Sequence, residues 1–307
     1  MSDELVIGID LGGTKIEAVV ARRAADARGL SVVSRRRVAT ESARGYEAVL
    51  GGTARLIVET ARGAGLDPGE VPVGVGMPGG TTRLGGLVKN ANTVCLNGRP
   101  FRADLERALG RPVAFDNDAN CFALAEAVLG AAAPYRDGIV FGVILGTGVG
   151  GGVVVRGEIW HGAQGIAGEW GHQVIAAGGR PCYCGARGCL ETYLAGPAVE
   201  ADYAGRAGAR LPLAEIAARR GVDPHADAAI EGLVEAFGRG LANVLAVLDP
   251  SAVVLGGGVS NLDLLYAEGA QRVARHVFND ELTTPILKHA LGDSAGVLGA
   301  AWIARAR

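Results

Sequence analysis

Three of the five cysteines in this 307-residue chain lie close together and follow a histidine. They are Cys182, Cys184 and Cys189, and the histidine is His172. Three thiolates and one imidazole complete the tetrahedral shell that Zn²⁺ prefers, and a closed shell leaves no position for an activated water. A redox pair is the alternative, but such pairs are usually spaced C-x-x-C, which this segment lacks. The pattern therefore predicts a structural Zn²⁺ site.

Two glutamates flank this cluster. Glu169 precedes His172, and Glu191 follows Cys189. An isolated glutamate is by default a surface residue, but a metal that fixes the loop would also fix both carboxylates and the imidazole. We therefore interpret the metal as a scaffold that holds Glu169, His172 and Glu191 in place, with the chemistry away from the metal itself.

Three apolar, strand-like segments each end in a glycine-rich turn. Glycine lets backbone amides approach phosphate oxygens closely. Gly146-x-Gly148-x-x-Gly151 matches the dinucleotide fingerprint, but that fingerprint must open a helix, and here 153–155 continue as a strand. The P-loop motif does not occur in the sequence. The turns therefore predict a nucleotide held between two hairpins.

Asp10 lies at the tip of the first hairpin. A carboxylate there would reach Mg²⁺ directly or through water, while the amides of the following turn face phosphate oxygens. A turn-capping aspartate is the alternative. The predicted cofactor-binding residues are Asp10, Gly12, Gly13, Thr14, Lys15, Gly146, Thr147, Gly148, Gly256, Gly257 and Gly258.

The elements around these turns repeat. Residues 142–148 echo residues 8–14, and apolar strand sequence flanks each copy. One hairpin unit used twice suggests a duplicated α/β architecture with a cleft between its halves. We predict strands over 5–10, 16–20, 71–77, 112–115 and 252–255, and helices over 46–62, 101–109, 230–248, 262–277 and 296–304, with a further helix after 116–120 that runs to 131.

Composition excludes several classes of partner. The formal net charge is -2, so the chain lacks the broad positive field that a nucleic acid or an anionic membrane surface requires. The start, Met1 to Glu4, has no basic signal-peptide region, and reduced cysteines are typical of the cytoplasm. We therefore expect a cytoplasmic protein that binds small molecules.

The motifs together resemble the ROK sugar kinases along essentially the whole chain. They are IDLGGTK (9–15), GMPG (76–79), DNDAN (116–120), LGTGVGGG (145–152), GEWGH (168–172), CYCGARGCLE (182–191) and VLGGG (254–258). The resemblance implies an actin-like, or ribonuclease-H-like, ATPase fold of two α/β domains with an interdomain cleft. We assign residues 1–117 and about 292–307 to the N-terminal domain and 118–291 to the C-terminal domain. The resemblance also suggests a homodimer.

By the same resemblance, Asp118 is the general base that accepts the proton of the attacking sugar hydroxyl, and Asn117 binds a neighbouring hydroxyl. A helix N-cap is the alternative for Asp118, because it precedes an apolar run. His172 would serve both metal and sugar through its two ring nitrogens. The substrate-binding residues implied are Gly79, Asn92, Asn117, Asp118, Glu169, His172 and Glu191.

The identity of the sugar depends on less of the sequence. The loop over 88–101 and the Cys-Tyr-Cys-Gly segment look most like the fructokinase, or manno(fructo)kinase, branch. We therefore expect ATP-dependent phosphorylation of fructose at the 6-hydroxyl. Alternatives are an N-acetylglucosamine kinase, a glucokinase, or a sugar-sensing protein without catalysis. A sugar sensor would not need the Asp118 carboxylate, and it would need an effector region, which we do not find in the sequence. The enzyme is therefore favoured.

Overall fold

The computed structural model describes residues 4–24, 29–82 and 84–304. Its strands are β1 (Glu4–Leu11), β2 (Lys15–Arg23), β3 (Leu30–Ala39), β4 (Val73–Met77), β5 (Gly80–Thr81), β6 (Val88–Lys89), β7 (Ala114–Asn117), β8 (Ile139–Leu145), β9 (Val149–Val155), β10 (Glu158–Ile159), β11 (Ala252–Gly256) and β12 (Ile286–Lys288). Its helices are α1 (Tyr46–Gly63), α2 (Phe101–Leu109), α3 (Asp118–Val128), α4 (Glu191–Leu194), α5 (Gly196–Ala207), α6 (Leu213–Ala218), α7 (Pro224–Leu248), α8 (Glu268–His276) and α9 (Ala295–Ile303).

The chain divides into two compact units. The first comprises Met1–Gly130, Gly162–Gly165 and Leu291–Arg307, and the second comprises Ala131–His161 and Ile166–Ala290. The first unit includes α3. The domain boundary predicted after residue 117 assigns α3 to the second domain, and that boundary remains a prediction. The predicted domains also include 1–3, 25–28, 83 and 305–307, which lie outside the described residues.

The sheet of the first unit has the order β3-β2-β1-β4-β7, in which β4 and β7 run parallel to β1. Side chains of β1 alternate between two cores. Ile7 and Ile9 belong to the core that includes α1 and α2, whereas Val6 belongs to the core that includes α9. A Cβ atom at Gly8 or Gly74 would collide with the α9 backbone, so these glycines let α9 lie directly on the sheet.

The sheet of the second unit has the order β10-β9-β8-β11-β12, with β11 and β12 parallel to β8. This is the same arrangement as in the first unit, which confirms the duplication predicted from the glycine turns. The long helix α7 buries a stripe against this sheet, and its first turn is capped by Asp223, whose Oδ1 accepts from the His225 amide at 2.9 Å.

Most predicted elements are confirmed, but several ends differ. The helix predicted to run to residue 131 ends at Val128, and the strand predicted over 112–115 is Ala114–Asn117. The single helical segment predicted over 262–277 is wrong, because Asp263–Leu265 forms a separate 3₁₀ turn before α8. Among the described residues, every helix is too short or too polar to cross a membrane.

Candidate functional site

The first glycine turn joins β1 to β2 and is held from outside by the end of β3. Thr40 donates its hydroxyl to the Gly12 carbonyl at 2.6 Å and its amide to the Thr14 carbonyl at 3.0 Å. Ser42 donates its hydroxyl to the Gly13 carbonyl at 3.3 Å. The carbonyl oxygens of the turn thus have partners on its outer side, which fixes the backbone that is predicted to face phosphate.

Asp10 ends the apolar part of β1 beside other carboxylates. Burial is the largest cause that raises its pKa, the charges of Asp118 and Glu17 add to it and Lys15 opposes it, and together they bring the pKa from 3.8 to about 7. A Cβ atom at Gly296 would lie 3.0 Å from Asp10 Oδ2, so a larger residue at the start of α9 would press on this carboxylate. Two carboxylates that disfavour each other's charge suit a divalent cation, which fits the Mg²⁺-linked role predicted for Asp10.

The junction between β7 and α3 carries Asn117 and Asp118. Asn117 is the N-cap: its Oδ1 accepts from the Ala119 amide at 2.8 Å and the Asn120 amide at 3.4 Å. Asp118 is the first residue of α3, and its Oδ1 accepts from the same Ala119 amide at 2.8 Å. The helix N-cap, which was the alternative role for Asp118, is therefore Asn117. Asn117 also donates Nδ2 to the Gly79 carbonyl at 2.8 Å.

Gly79 and Asn92 lie on either side of the paired strands β5 and β6 in the first unit. Gly79 has φ of 75°, and a Cβ atom there would lie 2.7 Å from the Ala91 nitrogen. A Cβ atom at Gly13 would lie 3.9 Å from Asn92 Oδ1. The structure thus brings Asn92 to the first glycine turn and Gly79 to Asn117.

The second glycine turn joins β8 to β9. The Gly146 carbonyl accepts from the Gly196 amide at 2.9 Å, which ties this turn to the start of α5. Glu191 Oε2 accepts from the Val149 amide at 2.8 Å. The third turn packs against the second, because a Cβ atom at Gly257 (φ 82°) would collide with the backbone of Leu145. The structure therefore brings two of the predicted phosphate-binding turns together in the second unit.

His172, Cys182, Cys184 and Cys189 converge on one point, and their ligand atoms all lie within 4.8 Å of one another. His172 Nδ1 is 3.6 Å from Cys182 Sγ, and Cys184 Sγ is 3.6 Å from Cys189 Sγ. Sulfurs at two corners of a tetrahedron with Zn–S bonds of about 2.3 Å are about 3.8 Å apart, so the donor set fits Zn²⁺.

The electrostatics of the cluster differ from thiol to thiol. A backbone hydrogen bond from Ala186 lowers the pKa of the Cys184 thiol, whereas burial raises the pKa of the Cys189 thiol to about 12. A bound divalent cation favours the thiolate in both cases.

Tyr183 lies on the imidazole that completes the cluster. Its Oη is 3.0 Å from His172 Nε2, and the two rings meet edge to face with centroids 5.2 Å apart. Burial, and after it negative charges that include those of Glu191 and Glu169, raise the Tyr183 pKa to about 12. This hydroxyl therefore occupies the ring nitrogen that the sequence assigns to the sugar, a contact that sequence reasoning did not anticipate.

A buried tryptophan holds the turn that carries Glu169 and His172. Trp170 packs edge to face on Phe141, with ring centroids 5.7 Å apart, and donates its indole N–H to the Gly150 carbonyl at 2.9 Å. The turn is thereby attached to β9 as well as to the cysteine cluster. Beside it opens a cavity of about 700 Å³, whose lining includes Thr147, Tyr183 and Glu191.

The model of the ROK family matches residues 6–307. The chain belongs to the ROK family. It is 37% identical over 307 residues to an N-acetyl-D-glucosamine kinase of Yersinia pseudotuberculosis, covering 96% of this chain and 97% of that protein. The comparisons support the ROK family but not the fructokinase branch predicted from the sequence.

Solved ROK structures have the same fold. A ROK hexokinase from Thermus thermophilus superimposes with a TM-score of 0.85 at 34% identity, covering 98% of this chain and 97% of that one. A ROK glucokinase from Streptomyces griseus, in complex with glucose and AMPPNP, gives 0.78 at 29% identity, covering 98% and 99%. The predicted duplicated α/β, actin-like fold is confirmed.

Proposed function

We propose that this ROK protein is an ATP-dependent kinase that phosphorylates N-acetylglucosamine at the 6-hydroxyl. The observation that supports the kinase activity most is the proximity of Asp118 to Asp10. The charge of Asp118, the candidate base for the sugar hydroxyl, raises the pKa of Asp10, the candidate Mg²⁺-linked carboxylate. The names of the curated relatives support N-acetylglucosamine as the sugar.

Asp118 has the role of general base. It accepts the proton of the 6-hydroxyl as that oxygen attacks the γ-phosphorus of ATP, the bond from the γ-phosphorus to the bridging oxygen breaks, and ADP leaves. The Ala119 amide, which donates to Asp118 Oδ1, fixes the orientation of the carboxylate. Asn117, anchored on Gly79, binds a neighbouring hydroxyl.

The glycine turns bind the nucleotide. Amides of Gly12, Gly13 and Thr14 and of the Gly146–Gly148 turn donate to phosphate oxygens, with Lys15 and Thr147 beside them. The Gly256–Gly258 turn is assigned to the nucleoside. Mg²⁺, when bound near Asp10, neutralises the phosphate oxygens.

The segment around the cysteine cluster binds the sugar. Glu169 and Glu191 offer acceptors to hydroxyls, which both donate and accept, and Asn92 adds a further polar contact. His172 would bind a hydroxyl through Nε2 only if the sugar takes the place of the Tyr183 hydroxyl at that nitrogen. Zn²⁺ in the cluster would hold this segment in shape.

A homodimer and a cytoplasmic location remain predictions.

Glucose is the second candidate sugar, because the similar solved structures include proteins named as a ROK hexokinase and a ROK glucokinase. Fructose, which the sequence analysis preferred, has no such support and is no longer our first choice. Retention of Asp118 continues to favour an enzyme over a sugar sensor.

A coupled assay of ADP release tests this proposal. N-acetylglucosamine, glucose, fructose and mannose are compared at equal ATP and Mg²⁺. We expect kcat/KM to be at least about tenfold higher for N-acetylglucosamine, because a site that pairs a polar substituent rejects sugars lacking it. A higher kcat/KM for glucose or fructose overturns the choice of sugar, and no ADP release with any sugar overturns the kinase.

A further inference from the structure

The side chain of Asn97 binds the backbone of Ala91 with both of its amide atoms. Oδ1 accepts from the Ala91 amide at 2.9 Å, and Nδ2 donates to the Ala91 carbonyl at 3.0 Å. Only a carboxamide supplies a donor and an acceptor side by side, so the pair imitates a rung of a β-ladder. Asn97 thereby fixes the residue that precedes Asn92.

The backbone of Ala91 also lies against Gly79. A Cβ atom at Gly79 would lie 2.7 Å from the Ala91 nitrogen, so the two backbones are in direct contact. The Gly79 carbonyl accepts from Asn117 Nδ2 at 2.8 Å, and Asn117 immediately precedes Asp118. Ala91 thus contacts both Asn97 and Gly79, and Gly79 is hydrogen-bonded to the residue beside the proposed base.

Asn92 itself is exposed between two buried neighbours. Ala91 and Thr93 are 5% and 2% exposed, and both Asn92 Oδ1 and Thr93 Oγ1 lie within 4 Å of the Cβ position at Gly13. The loop therefore contacts both the first glycine turn and Gly79, whose carbonyl accepts from Asn117. A shift at Ala91 would move Asn92 relative to both.

We propose that Asn97 is a positioning residue for the sugar, acting through Ala91 and Asn92. This inference rests on the proposed function. Asn97 does not need to touch the sugar, because its two hydrogen bonds fix the position of the loop that carries Asn92. Other contacts hold the surrounding turn without it: the amide of Val88 donates to the Arg99 carbonyl at 2.9 Å, and that of Gly98 donates to the Val88 carbonyl at 2.8 Å.

Two variants test this role. Asn97→Ala removes both hydrogen bonds, and Asn97→Asp keeps an acceptor for the Ala91 amide but places an oxygen against the Ala91 carbonyl. For Asn97→Ala we expect the KM for N-acetylglucosamine to rise by about tenfold, in line with two lost hydrogen bonds. For Asn97→Asp we expect a rise of similar size, because one hydrogen bond is lost and two acceptor oxygens are brought into contact. The KM for ATP and kcat should stay within about threefold of wild type, since Thr40 and Ser42 hold the first glycine turn independently of this loop.

Val94→Ala is the matched control, because Val94 lies in the adjacent 3₁₀ turn and is 75% exposed. It should leave both KM values unchanged. A second measurement needs no turnover: saturating N-acetylglucosamine without ATP should raise the Tm of the wild type and of Val94→Ala more than that of Asn97→Ala.

The inference is overturned if Asn97→Ala leaves the sugar KM unchanged, or raises the sugar and ATP KM values equally. If the wild type binds the sugar without phosphorylating it, the kinase proposal fails, and the Tm shift still decides the role of Asn97. If the wild type shows neither ADP release nor a Tm shift with any of the sugars, both proposals fall; if it releases ADP without a Tm shift, the KM values decide the role of Asn97.

Discussion

Glu191 Oε2 accepts a hydrogen bond from the Val149 backbone amide at 2.8 Å. The glutamate that follows the cysteine cluster is thereby attached to the second glycine turn, and a Cβ atom at Gly148 would lie 2.8 Å from the same oxygen. The Glu191 carboxylate, which is assigned to the sugar, therefore also contacts a turn that is assigned to phosphate.

Glu191→Gln and Glu191→Ala should separate these two roles. Glutamine retains an oxygen for the Val149 amide and loses the charge, so we expect about a tenfold rise in the sugar KM with little change in the ATP KM. Alanine leaves the amide without its acceptor, so both KM values should rise and unfolding should become easier by about 1–3 kcal/mol. Steady-state kinetics and thermal unfolding check both, with exposed Glu158→Gln as control. Identical behaviour of the two variants would contradict the dual role.

Asp10 should make the stability of the protein depend on pH in the absence of Mg²⁺ and nucleotide. Its pKa rises from 3.8 to about 7 on folding, so the folded state holds the proton more tightly than the unfolded state. The resulting stability is complete below about pH 4 and is lost as the pH rises through about 7.

Asp10→Asn removes this dependence. The difference in free energy of unfolding between Asp10→Asn and wild type should be larger at pH 8 than at pH 5, by on the order of 2 kcal/mol in favour of the variant. We expect the variant to lose turnover. Denaturant melts at the two pH values measure the difference, with exposed Asp280→Asn as control. An equal gain at both pH values would show that Asp10 titrates normally.

The features that the sequence predicted correctly depend on local pattern. The glycine turns between apolar strands fix two hairpins, and the spacing of apolar residues in α7 fixes a long amphipathic helix. The cysteine cluster was also recognisable, because Cys182, Cys184 and Cys189 lie within one short loop.

The features that it missed depend on contacts between distant segments or on exposed sequence. The edge strand β3 has mostly exposed residues on both faces, so it shows no alternation of apolar and polar residues. The pairing of Asn97 with Ala91 joins loop residues that have no periodic signal. The expectation of fructose depended on the resemblance of the 88–101 loop and the Cys-Tyr-Cys-Gly segment to one branch of the family, and the comparisons do not support it.

Removal of the metal should disturb the cluster before the rest of the protein. We expect about one Zn²⁺ per chain in the wild type, and Cys184→Ser should release it and lower the Tm by about 5 °C or more. Elemental analysis after gel filtration and thermal unfolding check this. Cys95→Ser, outside the cluster, should retain the metal. A zinc-free wild type with full activity and unchanged Tm would refute the structural role.

The turnover of Asp118→Asn tests the central claim most directly. Asparagine retains an oxygen for the Ala119 amide, so the start of α3 should be preserved while the proton acceptor is lost. We predict that kcat falls by about 10²- to 10⁴-fold, whereas the Kd for N-acetylglucosamine, measured by calorimetry, stays within about threefold. A variant that phosphorylates the sugar at close to the wild-type rate would contradict the assignment of Asp118 as the general base.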